Sequence, residues 1–164
     1  MGLLRLVKQT RVIAFEGDQK TRDELCQMAE RNGVTERLAI KGFCQIPELK
    51  AVLDETQEKT EAPWLIVDIE GGEKELLNPG VIPALRRCPI LVELHDGMVP
   101  GCYETVTRRF AGTHHIEEIH SVIRTLDDVP AGIAIPRWKL KRIIRERGDA
   151  PMTWLWLTPR QIAH

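Results

Sequence analysis

Four short runs of apolar and β-branched residues, separated by stretches with helical spacing, constrain this chain more than any other feature. RVIAFE at 11–16, RLAIKGF at 37–43, PWLIVDI at 63–69 and PILVELH at 89–95 read as strands. Helices are expected between them near 20–32, 46–58 and 73–87. In the first of these, Leu25, Met28, Ala29 and Asn32 fall at helical spacing, and Gly33 stands where a C-terminal cap belongs. LIVDI and ILVEL are nearly continuous apolar runs, the pattern of strands covered by helices on both faces. Strand alternating with helix predicts an α/β sandwich with a mostly parallel sheet. Further on, the pattern predicts a helix near 102–111, a strand near 115–124, a basic helix near 136–147 and a final strand, TWLWL, at 153–157. The last two strands are expected to form an antiparallel hairpin at a sheet edge. No repeat, low-complexity tract or interdomain linker interrupts the pattern, so residues 1–164 read as one domain.

Composition narrows the class. With 43% hydrophobic and 29% charged residues, 23 Lys+Arg against 24 Asp+Glu and a net charge of −1, the chain reads as a soluble globule. Those values exclude a disordered chain and a globally basic nucleic-acid binder. No apolar run approaches the roughly eighteen residues of a membrane-spanning helix, and MGLLRLVKQTR is too short and too charged for a signal peptide. Cys26, Cys44, Cys88 and Cys102 lie far apart with no CxxC, so reduced, buried thiols in a cytoplasmic protein are expected rather than disulfides or a zinc site.

In an open α/β sheet, ligands bind beyond the carboxyl ends of the strands. Here those ends are polar: Phe15-Glu16-Gly17-Asp18, Asp68-Ile69-Glu70-Gly71-Gly72-Glu73 and Glu93-Leu94-His95-Asp96. Side-chain alternation lets Asp68 and Glu70 share one face, and Glu93 and His95 another. If the two strands are neighbours, carboxylates and an imidazole converge. Glu16, ending an early strand, is the candidate to accept hydrogen bonds from a ribose diol, although an acid after an apolar strand is more often a solvated terminus. Such an acid ordinarily follows a glycine-rich turn by about twenty residues. No GxGxxG occurs, and Gly2 to Val7 instead reads as the end of a helix entering the strand at Arg11.

These segments together carry a family resemblance. Ala14-Phe15-Glu16, Asn32-Gly33-Val34, the DIEGGE segment with Leu76-Leu77, and Ile90 to Asp96 resemble, in order and spacing over residues 3–96, the FkbM-like S-adenosylmethionine-dependent methyltransferases. The resemblance implies a Rossmann-like class I methyltransferase sandwich and S-adenosylmethionine as cofactor. It implies methyl transfer to a hydroxyl oxygen of a sugar, lipid or polyketide-like small molecule. The family's first strand and its glycine-rich turn have no counterpart. The chain is therefore expected to be N-terminally incomplete, with exposed backbone edges that a second copy could cover as a homo-oligomer.

Within that frame, Asp68 and His95 are the expected proton acceptors, an imidazole because it ordinarily titrates near neutral pH. Glu70 and Glu93 are expected to orient them or the acceptor, and Glu16, Gly17 and Asp68 to contact the cofactor. Glu73 reads more simply as an acid at a helix N-terminus. Asp68, Glu70, Glu93, His95 and Asp96 offer hard ligands for a cation, yet sequence cannot show that they converge, so no metal is expected. His114, Glu118 and His120 would share a strand face, better explained as a solvated edge than as a zinc site. Arg137, Lys139, Lys141, Arg142, Arg145 and Arg147 surround an apolar stripe of Leu140, Ile143 and Ile144, read first as a surface helix and second as a contact for an anionic acceptor or membrane. Trp154 and Trp156 read as packing residues. Two competing functions stand beside the methyltransferase: a non-catalytic or truncated module acting through protein contacts, and, more weakly, a nicotinamide-dependent dehydrogenase.

Overall fold

The computed structural model describes residues 2–57, 63–122, 124–144 and 152–160. It divides into two compact units, Met1–Val52 and Leu53–His164.

The first unit contains helix α1 (Gly2–Leu6), strand β1 (Val12–Phe15), helix α2 (Gln19–Arg31), strand β2 (Leu38–Lys41) and most of helix α3 (Ile46–Gln57), inside which the boundary falls. Strands β1 and β2 pair in parallel, from Val12 opposite Leu38 to Phe15 opposite Lys41. Helix α2 starts where Asp18 Oδ1 accepts the Thr21 N–H at 2.8 Å, which satisfies a donor that the first turn leaves open. It stops as its glycine predicts. Gly33 adopts φ 62°, its N–H donates to the Glu30 carbonyl at 3.0 Å, and the Val34 N–H reaches back to the Ala29 carbonyl at 3.1 Å. This closing turn brings Val34 over Ala29, and with Leu4 they form the unit's small core, flanked by Val12 and Leu38.

The second unit holds strand β3 (Leu65–Val67), helix α4 (Glu73–Leu76), strand β4 (Ile90–Leu94), helix α5 (Cys102–Phe110), strand β5 (His114–His120), helix α6 (Arg137–Ile144) and strand β6 (Thr153–Pro159). Its sheet runs β3-β4-β6-β5. Strands β3 and β4 are parallel, with Val67 opposite Val92. Strand β6 is antiparallel to both β4 and β5. The expected terminal hairpin is thus present, with β6 inserted between β4 and β5 and β5 left at the edge. One sheet face is dry: Ile90, Val92, Leu155 and Leu157 are fully buried.

Four expectations need correction. The stretch 73–87 is not one helix but α4 followed by a 3-10 turn at Pro83–Arg87. Pro79 disfavours helix at the preceding residue, and Asn78 Oδ1 accepts the Gly80 N–H at 3.0 Å instead. Among the described residues of the second unit, cover on both faces is not found at β3, where Ile66 is 65% exposed and the neighbouring Trp64, tilted against Trp156 at 5.1 Å, is 71% exposed. The strand expected to reach 124 ends at His120, and the final strand extends to Pro159. Of the cysteines, Cys88 and Cys102 are buried as expected, Cys26 is exposed and Cys44 half-buried; all four are free thiols. Arg145 and Arg147, expected to continue the basic helix, lie outside the described residues.

Candidate functional site

Strands β3 and β4 are adjacent and parallel, so their carboxyl ends open at the same place. Strand β3 stops at Val67, and Asp68, Ile69 and Glu70 belong to the turn that follows. It is this turn, rather than strand alternation, that brings the DIEGGE acids toward β4. Glu70 takes a left-handed backbone conformation, φ 55°, which is uncommon for a residue with a side chain. Gly71 follows at φ 105°, and a Cβ there would lie 2.8 Å from Val99 Cγ2, so only glycine fits without displacing a neighbour.

At the centre stands His95, just beyond β4 and 6% exposed. Its Nε2 faces three carboxylates: Glu70 Oε2 at 3.5 Å, Asp68 Oδ1 at 3.7 Å and Glu93 Oε1 at 3.7 Å. Its Nδ1 lies 2.6 Å from Glu73 Oε1. Glu73 is fully buried, and the same oxygen accepts the Gly71 N–H at 3.1 Å. Ring orientation is therefore set from behind: a proton on Nδ1 is donated to Glu73, and Nε2 points to the acids. Cys102 Sγ lies 3.9 Å from Glu73 Oε2, and burial together with that carboxylate pushes its thiol pKa up. Asp68, Glu93 and His95 bring their ligand atoms within 4.8 Å of one another.

All four sequence-selected catalytic candidates, Asp68, Glu70, Glu93 and His95, thus gather around one nitrogen. Glu73 is the member that sequence reasoning passed over. It does occupy a helix N-terminus, as read, but its side chain turns inward onto a residue 22 positions away. Nothing local signals that contact. Asp96 is used elsewhere, its Oδ2 accepting the Tyr103 N–H at 2.8 Å at the start of α5.

Glu16 and Gly17 lie in the first unit, directly after β1. Glu16 Oε1 accepts the Asp18 N–H at 2.8 Å, which holds the carboxylate at the mouth of the β1 turn. Gly17 keeps that turn open to Phe43, whose ring would sit 3.1 Å from a Cβ at this position. The other histidines are differently placed. His114 is fully buried, 3.0 Å from the Cys88 carbonyl and 2.9 Å from Thr113 Oγ1. His120 and Glu118 form an exposed pair at 3.0 Å. His114 is therefore a core residue, not part of a solvated edge, and the three do not converge.

No protein-family profile and no curated protein matches the sequence. Among solved structures, a domain named as a precorrin-6Y C5,15-methyltransferase, from Corynebacterium diphtheriae, is similar with a TM-score of 0.53 at 16% identity. The match covers 96% of this chain and 79% of that one. The likeness is one of fold. This chain shares that domain's Rossmann-like α/β fold, and in an open α/β sheet ligands bind beyond the carboxyl ends of the strands.

Proposed function

We propose that this chain is an S-adenosylmethionine-dependent methyltransferase of the FkbM-like kind, acting on a hydroxyl oxygen of a sugar, lipid or polyketide-like small molecule. The observation that carries the reading is the convergence of Asp68, Glu70 and Glu93 on His95 Nε2, with Nδ1 held by buried Glu73. S-adenosylmethionine supplies an electrophilic methyl group on a sulfonium. The acceptor oxygen forms a C–O bond as the C–S bond breaks, sulfur keeps the bonding pair, and the hydroxyl proton must leave. Asp68, 44% exposed at its side chain, and His95 Nε2 are the groups to take it. Glu70 and Glu93 orient the acceptor by hydrogen bonding, and Glu73 is a positioning residue. In the first unit, Glu16 Oε2 is the oxygen offered to a ribose hydroxyl. Holding acceptor and methyl in line supplies much of the rate in such a displacement.

The test is ligand-dependent unfolding. S-adenosylmethionine and S-adenosylhomocysteine are expected to raise the melting temperature at millimolar concentration, and Glu16→Gln to reduce the shift. No shift with either would overturn cofactor binding by this chain and favour the non-catalytic module, a reading that draws on the lack of a GxGxxG segment.

A further inference from the structure

We propose that Asp68, Glu93 and His95 form a divalent transition-metal site. Three observations point there. First, one nitrogen and two carboxylate oxygens, contributed from the ends of two strands, lie within 4.8 Å of one another. Second, the distances suit a shared ion better than direct hydrogen bonds. Asp68 Oδ1 and Glu93 Oε1 are each 3.7 Å from His95 Nε2, longer than the roughly 2.7–3.2 Å of a hydrogen bond. Two ligands bonded to one ion at about 2.0–2.2 Å stand about 3–4 Å apart. Third, the imidazole is already held as a metal-bound histidine is held, its other nitrogen 2.6 Å from a buried carboxylate, Glu73.

Charge supports the same conclusion. Four carboxylates, Asp68, Glu70, Glu73 and Glu93, surround a single imidazole, and two of them, Glu73 and Glu93, are 0% and 4% exposed. A protonated imidazole cancels one negative charge; a divalent cation cancels two in a place where burial penalises charge. One imidazole with two carboxylates suits Mn2+ or Zn2+, whereas Mg2+ and Ca2+ favour all-oxygen sets. With an ion at Nε2, His95 is a ligand and no longer a proton acceptor. On the methyltransferase reading, the Glu70 carboxylate, whose Oε2 is 3.5 Å from that nitrogen, then takes the proton in place of Asp68 and His95. A use of the ion to polarise the acceptor hydroxyl rests on the methyltransferase reading; its binding does not.

The experiment is a titration of this chain, stripped with chelator, with Mn2+, followed by loss of the free-ion EPR signal, with Zn2+ as competitor. One Mn2+ per chain is expected, displaced by Zn2+ and not by equimolar Mg2+. Asp68→Asn is nearly isosteric at a side chain that is 44% exposed, and is expected to weaken binding by at least tenfold. Glu73→Gln, which acts through His95, is expected to weaken it by about 10–100-fold. Glu117→Gln, on exposed β5, is expected to leave it unchanged. Failure of the wild type to bind Mn2+ below millimolar concentration, or equal affinity in wild type and Asp68→Asn, overturns the site. Mn2+ binding without any response to S-adenosylmethionine keeps the metal site and refutes the methyltransferase reading, while a cofactor response without Mn2+ binding does the reverse.

Discussion

Two buried histidines in the second unit make opposite use of the same side chain. At the end of β4, His95 is surrounded by carboxylates, with Asp68, Glu70 and Glu93 on one side and Glu73 on the other. At the start of β5, His114 meets a backbone carbonyl and a threonine hydroxyl, and its ring packs edge-on against Phe110 at 5.0 Å. Burial is nearly equal, 6% against 0%. Exposure therefore says little about a histidine's task, and the charge of its neighbours says much. Burial with only neutral partners pushes the His114 pKa down and keeps its ring neutral. The acids around His95 are instead the groups proposed above to bind a cation and to accept a proton.

The comparison can be broken most severely at Glu73. Glu73→Ala removes the acceptor of both the His95 ring and the Gly71 N–H, and a loss of about 3–5 kcal/mol is expected in urea unfolding, each buried donor left without an acceptor costing about 1–3 kcal/mol. His114→Ala leaves the Cys88 carbonyl without its donor and opens space beside Phe110. Calorimetry should show a loss of about 2–3 kcal/mol with Mn2+ binding unchanged; a change in binding would mean that the two regions are not separate in function. Gly71→Ala forces a side chain into φ 105° against Val99, for which about 1–2 kcal/mol is expected from thermal melts.

The smallest effect is a pH dependence. The folded-state pKa of His114 lies below its ordinary 6.5, so between those two values the unfolded chain binds the extra proton. Its contribution is complete above pH 6.5 and falls away as the pH drops toward the folded pKa. Melts of wild type and His114→Gln should differ in slope only in that window, and parallel curves would contradict the buried neutral ring.

Much of this was legible in the sequence, and the limits have physical causes. Strands β1 to β4 fall inside the runs that periodicity marks, because β-branched runs bounded by polar residues leave few alternatives. The acids following β3 and ending β4 were legible as candidates from adjacent strands, but the turn that carries Asp68 and Glu70 toward β4 was not. The break after Leu76 was signalled by Pro79 and Pro83 but masked by the helical spacing around them. Glu73 was out of reach because its role depends on a contact across 22 residues. His114 was misplaced for a related reason: alternation assigns it to a face together with Glu118 and His120 but cannot tell that α5 covers only the start of that strand, through Phe110.

The backbone of Glu70 has a consequence for anyone who evolves this protein. A glycine at 70 would relieve a left-handed strain of about 1 kcal/mol, so a library sorted for heat resistance should drift toward Glu70→Gly. A library sorted for turnover should hold the glutamate against that pull. Divergence of the two populations at this one codon would report that the carboxylate is kept for its chemistry.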